Sequence, residues 1–207
     1  MALTAEQLWA DLEACLFGSL VNDEATRHQA ESRMAQLETM EEYAVVLVRG
    51  CVHTGIKPQT RQLACMALKK FIKEHWSSDD DTFKGPECSA EVKQLVRASL
   101  PTGLSDHDKS VRTAVAYTTS KIASHDWPEH WPTLVPAILT TLNSGVTGSE
   151  LGPACDGAVR VLDELVNDFD AVYLPQLIEA LLPSLFALLS LPVTKVTECA
   201  GLFLNKA

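Results

Sequence analysis

Apolar residues return along this chain every third or fourth position, and no run alternates apolar and polar residues with period two. That spacing gathers apolar side chains on one stripe of an α-helix, whereas a half-buried strand needs strict alternation. Glycine, proline and aspartate interrupt the pattern about every 15 to 20 residues. The pattern therefore predicts a train of helices, at about 4–17, 23–38, 41–53, 58–75, 89–100, 107–124, 132–143, 153–168, 173–190 and 193–206. Paired in order, they make four helical hairpins and a fifth that breaks off.

Start signals accompany several of these segments. Thr4 is placed to cap the first helix with Gln7 reaching back, Asn22 or Asp23 to cap the second, and Pro58 and Pro132 suit a first helical turn. Gly18, Gly55, Gly103 and Gly145 sit just beyond periodic segments, where a left-handed residue is expected to close each helix. Two helices per unit, repeating at roughly 40 to 47 residues, is the period of HEAT and armadillo arrays, in which stacked hairpins supply each other's core. The expectation is an all-α protein, a right-handed HEAT-repeat α-solenoid of about four and a half hairpins, rather than a compact helical bundle. The last segment, from Val193, carries neither a capping glycine nor a polar outer face, so the chain reads as the N-terminal fragment of a longer array.

Composition narrows the class. Of 207 residues, 46% are hydrophobic and 21% charged, enough apolar material for an ordered core. No run approaches the 18 apolar residues that a membrane-spanning helix needs, and the N-terminus carries acids where a secretory signal carries lysine or arginine. A soluble protein is expected. The balance of 17 basic against 27 acidic residues, a formal charge of −10, repels nucleic acid and favours basic partners. Six cysteines stand singly with no CxxC pair, which points to buried apolar residues in a reducing compartment. Ser124, His125 and Asp126 fall together, but no glycine elbow or oxyanion site accompanies them, and no histidine pair has zinc spacing. The expectation is a protein that is not an enzyme, with no metal, no cofactor, no nucleotide of its own and no direct nucleic-acid contact.

Specific residues carry a resemblance. Arg27-His28-Gln29-Ala30-Glu31 followed by Leu37, then Arg61-Gln62-Leu63-Ala64, Leu68-Lys69-Lys70-Phe71-Ile72 and Trp76, resemble the opening signatures of the importin-beta superfamily. Val111-Arg112-Thr113-Ala114 and the turn Asp126-Trp127-Pro128-Glu129-His130-Trp131-Pro132 resemble a later stretch carried by one branch of that family, and Gly157-Ala158-Val159-Arg160-Val161-Leu162 resembles its next inner helix. The resemblance implies an importin N-terminal domain over 1–103 and further HEAT repeats, the last incomplete, over 104–207. It also implies a monomeric nuclear import receptor, shuttling between cytoplasm and nucleus. Its implied partners are the small GTPase Ran in its GTP form, nucleoporins, and basic cargo such as core histones and ribosomal proteins. A static HEAT-repeat scaffold and an export receptor of the same superfamily are the alternatives. The two tryptophans of the turn suit packing between adjacent repeats better than a ligand cage.

Helical projection selects candidate contact residues. Leu63, Ala64, Ala67, Leu68 and Phe71 share one side of their helix, leaving Gln62, Met66, Lys69 and Lys73 as the opposite, outward stripe. On the next inner helix Arg112, Ala116 and Ser120 are expected to point outward, the small pair allowing close approach. The family likeness implies only that the opening inner helices contact Ran-GTP, and both sets, chosen by periodicity, are expected to form part of that surface. On the fourth unit's inner helix Ala158, Leu162, Leu165 and Phe169 turn inward, and Asp156, Asp163 and Glu164 are expected to attract basic cargo. The acidic run Ser77-Ser78-Asp79-Asp80-Asp81 reads as a solvated loop, with a modifiable or cargo-touching loop as the alternative.

Overall fold

Local chemistry starts the helices where the sequence places it. In the computed structural model, which describes residues 3–147, 152–168 and 174–189, Thr4 and Gln7 close a reciprocal capping box on α1 (Ala5–Gly18). Asp23, rather than Asn22, caps α2 (Glu24–Leu37) by accepting from the Thr26 amide at 2.9 Å. After α3 (Tyr43–Val52), Pro58 opens α4 (Pro58–His75) at its first turn. Ser89 caps α5 (Ala90–Ser99), which runs into a 3-10 turn over Leu100–Ser105 that the periodicity does not predict. Asp108 caps α6 (Lys109–Asp126), and α7 (Leu134–Thr147), α8 (Pro153–Asp168) and α9 (Leu174–Leu189) follow. Pro132 lies before α7 rather than in its first turn. The helix expected at 193–206 lies outside the described residues, as do Phe169 and Cys199.

The described chain is all-helical, as a HEAT-repeat protein should be, and it divides into two units, Met1–Gly103 and Leu104–Ala207. In the first, α1 pairs with α2 and α3 with α4, while α3 also packs on α1 and on α5. Its core gathers Leu8, Leu12, Leu37, Tyr43, Leu47, Leu68, Ile72 and Trp76, all buried. In the second unit α7 pairs with α8, α6 stacks on α8 and α7 on α9. Inner helix on inner helix and outer on outer is the stacking that gives a repeat its core from its neighbour. Cys15, Cys51, Cys65 and Cys155 are buried and unbridged, while Cys88 is half-buried.

Glycines do not close these helices by a left-handed turn. Among the described residues only Gly85 has positive φ, at 62°. Helix α1 ends on Gly18 and is closed by Ser19 in ordinary right-handed geometry, its amide reaching the Cys15 and Phe17 carbonyls. Gly103 sits in the 3-10 turn and Gly145 inside α7. Gly18 serves packing instead: a Cβ there would lie 2.9 Å from the Ala30 Cβ, so its absence lets α1 and α2 approach.

Candidate partner-binding face

Helix α4 presents the expected stripe. Ala64, Ala67, Leu68 and Phe71 are buried on one side, and the opposite row runs Gln62, Met66, Lys69, Lys73. Met66 is 67% exposed, a large value for so apolar a side chain; Lys73 is exposed, and Gln62 and Lys69 are half-buried. The neighbouring Lys70 is spoken for. Its ammonium donates to Glu38 at 2.8 Å and lies 3.6 Å from Glu74, which also accepts from Lys84 at 2.8 Å. Burial works against a charged Glu74, but the bonds from Lys84 and the charge of Lys70 outweigh it and hold the carboxyl below its ordinary range. Donor atoms of Glu38, Glu74 and His75 come within 4.8 Å of one another, a spacing that could serve a cation, yet the two lysine ammoniums already neutralise both carboxylates.

The signature residues of this helix are mainly structural. Arg61 is buried and its Nε donates to the Cys51 carbonyl at 3.0 Å, tying α4 to the end of α3. Trp76 is fully buried at the end of α4, with the Lys93 ammonium 5.7 Å from its ring centroid.

Helix α6 corrects the projection. Arg112, Ala116 and Ser120 are 8%, 1% and 1% exposed, so they do not form an outward stripe. Helix α6 packs extensively on α8, so it covers positions that a projection of α6 by itself leaves outward. The small residues that suggested close approach by a partner suit close packing within the protein instead. Ser120 turns its hydroxyl back to the Tyr117 carbonyl at 3.0 Å. The side of α6 left open carries Tyr117, with Thr113, Ala114 and Lys121 half-buried.

Arg112 also removes one expected anion. Its Nε donates to Asp156 at 2.8 Å and its Nη1 to the Asp106 and His107 carbonyls at 2.7 and 3.1 Å. Arg160, one helical turn past Asp156, donates to both oxygens of the same carboxylate at 3.1 and 3.2 Å. Asp156 is thus a bridge between two arginines, not an open attractor of basic cargo. Asp163 and Glu164 remain half-buried on α8, while Ala158, Leu162 and Leu165 turn inward as expected. Burial alone would raise the Asp156 carboxyl, but the bonds from Arg160 and Arg112 prevail and lower it. A lowered folded value contributes stability above the unfolded carboxylate value of about 3.9, and that contribution disappears as pH falls through the folded value. Replacing Asp156 with Asn should cost about 1 to 2 kcal/mol at neutral pH, leaving a largely buried guanidinium with weaker partners. In urea titrations the gap between variant and parent should shrink once the pH drops well below 4.

The tryptophan-rich turn is also internal. Trp127 and Trp131 are buried, and the Asp126 carbonyl accepts from the His130 and Trp131 amides at 2.7 and 2.9 Å. No ligand cage opens there. Residues 30–106, which carry the α4 stripe, match the importin-beta N-terminal domain family. Importin-9 of Drosophila melanogaster is 32% identical over 156 residues, 74% of this chain and 15% of that protein.

The chain belongs to the importin-beta superfamily.

Importin subunit beta-5 of Schizosaccharomyces pombe is 34% identical over 148 residues, 70% of the chain and 14% of the relative. The importin alpha re-exporter of Saccharomyces cerevisiae is 27% identical over 124 residues, covering 58% and 12%. The chain thus spans about one seventh of the length of the importins it matches. Its relatives are importins and exportin-type carriers, and no helix among the described residues is long and apolar enough to cross a membrane.

Proposed function

We propose that this importin-family chain acts in a nuclear import receptor of importin-9 type, and that its α4 stripe contacts Ran in the GTP state. The observation that carries the reading is Met66, two-thirds exposed, flanked by Lys69 and Lys73 on a helix whose other side is anchored in the core. An apolar centre beside lysines suits a GTPase whose switch segments present carboxylates once the third phosphate orders them. The contact is confined to Gln62, Met66, Lys69 and Lys73, because Arg112, Ala116 and Ser120 are buried. Basic cargo such as core histones or ribosomal proteins is drawn by the net charge of −10, with Asp163 and Glu164 as local contributors. Two importins, 32 and 34% identical over 74% and 70% of the chain, support the import reading. Shuttling between cytoplasm and nucleus, with nucleoporins as further partners, follows from the same reading.

The test is a binding titration with Ran loaded with GTP or GDP. The chain should prefer the GTP form, and reversing Lys69 and Lys73 to Glu should weaken that binding by about tenfold or more, since charge reversal adds repulsion to the lost attraction. The helix should persist by circular dichroism. Equal binding of both nucleotide states would remove the assignment and favour a static scaffold.

A further inference from the structure

The loop between α4 and α5 holds chemistry that partner binding does not use. Its second half is pinned to the end of α4: Thr82 donates to the Lys73 carbonyl at 3.0 Å, the Lys84 amide to Glu74 at 2.8 Å and the Cys88 amide to His75 at 2.8 Å. The first half turns outward. Ser78, Asp79 and Asp81 are exposed, while Ser77 and Asp80 are half-buried.

The two serines of this run differ in what surrounds them. The Ser77 hydroxyl accepts from the Asp79 amide at 3.3 Å, and the acid three residues after it, Asp80, is turned into its own loop by bonds from the Thr82 amide and hydroxyl at 2.9 and 2.7 Å. Ser78 has an exposed side chain, and the acid three residues after it, Asp81, is exposed. Elsewhere among the described residues this serine- or threonine-to-acid spacing is occupied by structure. Thr39 precedes Glu42, but its hydroxyl donates to the Gln36 carbonyl at 2.8 Å. Ser105 precedes Asp108, whose carboxylate caps α6 through the Ser110 and Val111 amides at 2.9 and 3.1 Å.

We infer that Ser78 is a phosphoacceptor for a serine kinase that reads acidic residues on the C-terminal side of its target. Such a kinase recognises carboxylates with basic side chains, and Asp79 and Asp81 stand open to them on an irregular segment. In the transfer, the Ser78 oxygen forms a bond to the γ-phosphorus of ATP as the bond to the leaving ADP oxygen breaks, and the hydroxyl proton passes to the kinase's catalytic carboxylate. The product adds about −1.5 to −2 of charge. It does so beside Glu87, which accepts from the Ser78 amide and pairs with Lys93. Repulsion from Glu87 and competition for Lys93 then loosen the tie between this loop and α5.

The experiment incubates the whole 207-residue chain with a purified acidophilic serine kinase and MgATP, with a basophilic serine kinase as control, and locates phosphate by mass spectrometry. One phosphoryl group at Ser78 is expected with the acidophilic enzyme only. Ser78→Ala should abolish it and Ser77→Ala should retain it. Asp81→Ala should slow incorporation by about tenfold, the equivalent of one lost charge-assisted contact, and Asp80→Ala by less. Phosphate on Ser77, Thr39 or Ser105, equal rates in the Asp81 variant, or no incorporation would each overturn the assignment.

Discussion

Replacing Trp76 with alanine should destabilise the first unit by about 3 to 5 kcal/mol, the cost of emptying a core site the size of an indole. The ring is 0% exposed and is the largest side chain so enclosed among the described residues. It sits where α4 ends and the acidic loop begins, so its loss also removes the surface under the Lys93 ammonium. Urea unfolding should show a lower midpoint with little change in slope, as expected when stability changes and the surface exposed does not. Trp76→Phe should recover a large part of the loss, because a smaller ring fills most of the volume. If the alanine variant melted with the parent, the indole would have no place in this core.

Gly157→Ala should destabilise the second unit by about 2 to 3 kcal/mol, against what helix propensity alone predicts. In an open helix interior the change from glycine to alanine gains about 1 kcal/mol. Here the added Cβ would stand 2.1 Å from the Leu104 carbonyl oxygen and 2.8 Å from its carbon, and a backbone carbonyl cannot rotate away as a side-chain tip can. The bare Cα is what lets α8 pass so close to the 3-10 turn that contains Leu104. Gly152→Ala is the control, since a Cβ there meets nothing within 4 Å. Thermal melts of the two variants should move apart, and a stabilised Gly157 variant would mean that the contact relaxes freely.

The same two sites separate what is local from what is not. That Gly157 lies in a helix follows from the apolar period around it, but that it must be glycine depends on Leu104, more than 50 residues earlier. The α4 stripe was legible because that helix leaves a continuous outer row, so one projection sorts inside from outside. For α6 the same projection failed at Arg112, Ala116 and Ser120, since the packing of α6 on α8 is a fact of stacking. Asp156 looks like an open acid in sequence, and only the fold brings Arg112, 44 residues away, against it. Ser77 and Ser78 are indistinguishable by composition, and the Thr82 bonds to Asp80 tell them apart.

By itself, then, the sequence determined the train of helices, the cap at Thr4, the first turn at Pro58, a cap at Asn22 or Asp23, and the membership in a repeat family, because periodicity and capping act within a turn or two of chain. The tertiary structure alone decided which polar residues are open to a partner. Burial of Ser120, the reach of Arg112 to Asp156 and the close pass at Gly157 all arise from elements distant in sequence, and nothing within one helix encodes what a neighbouring helix will cover.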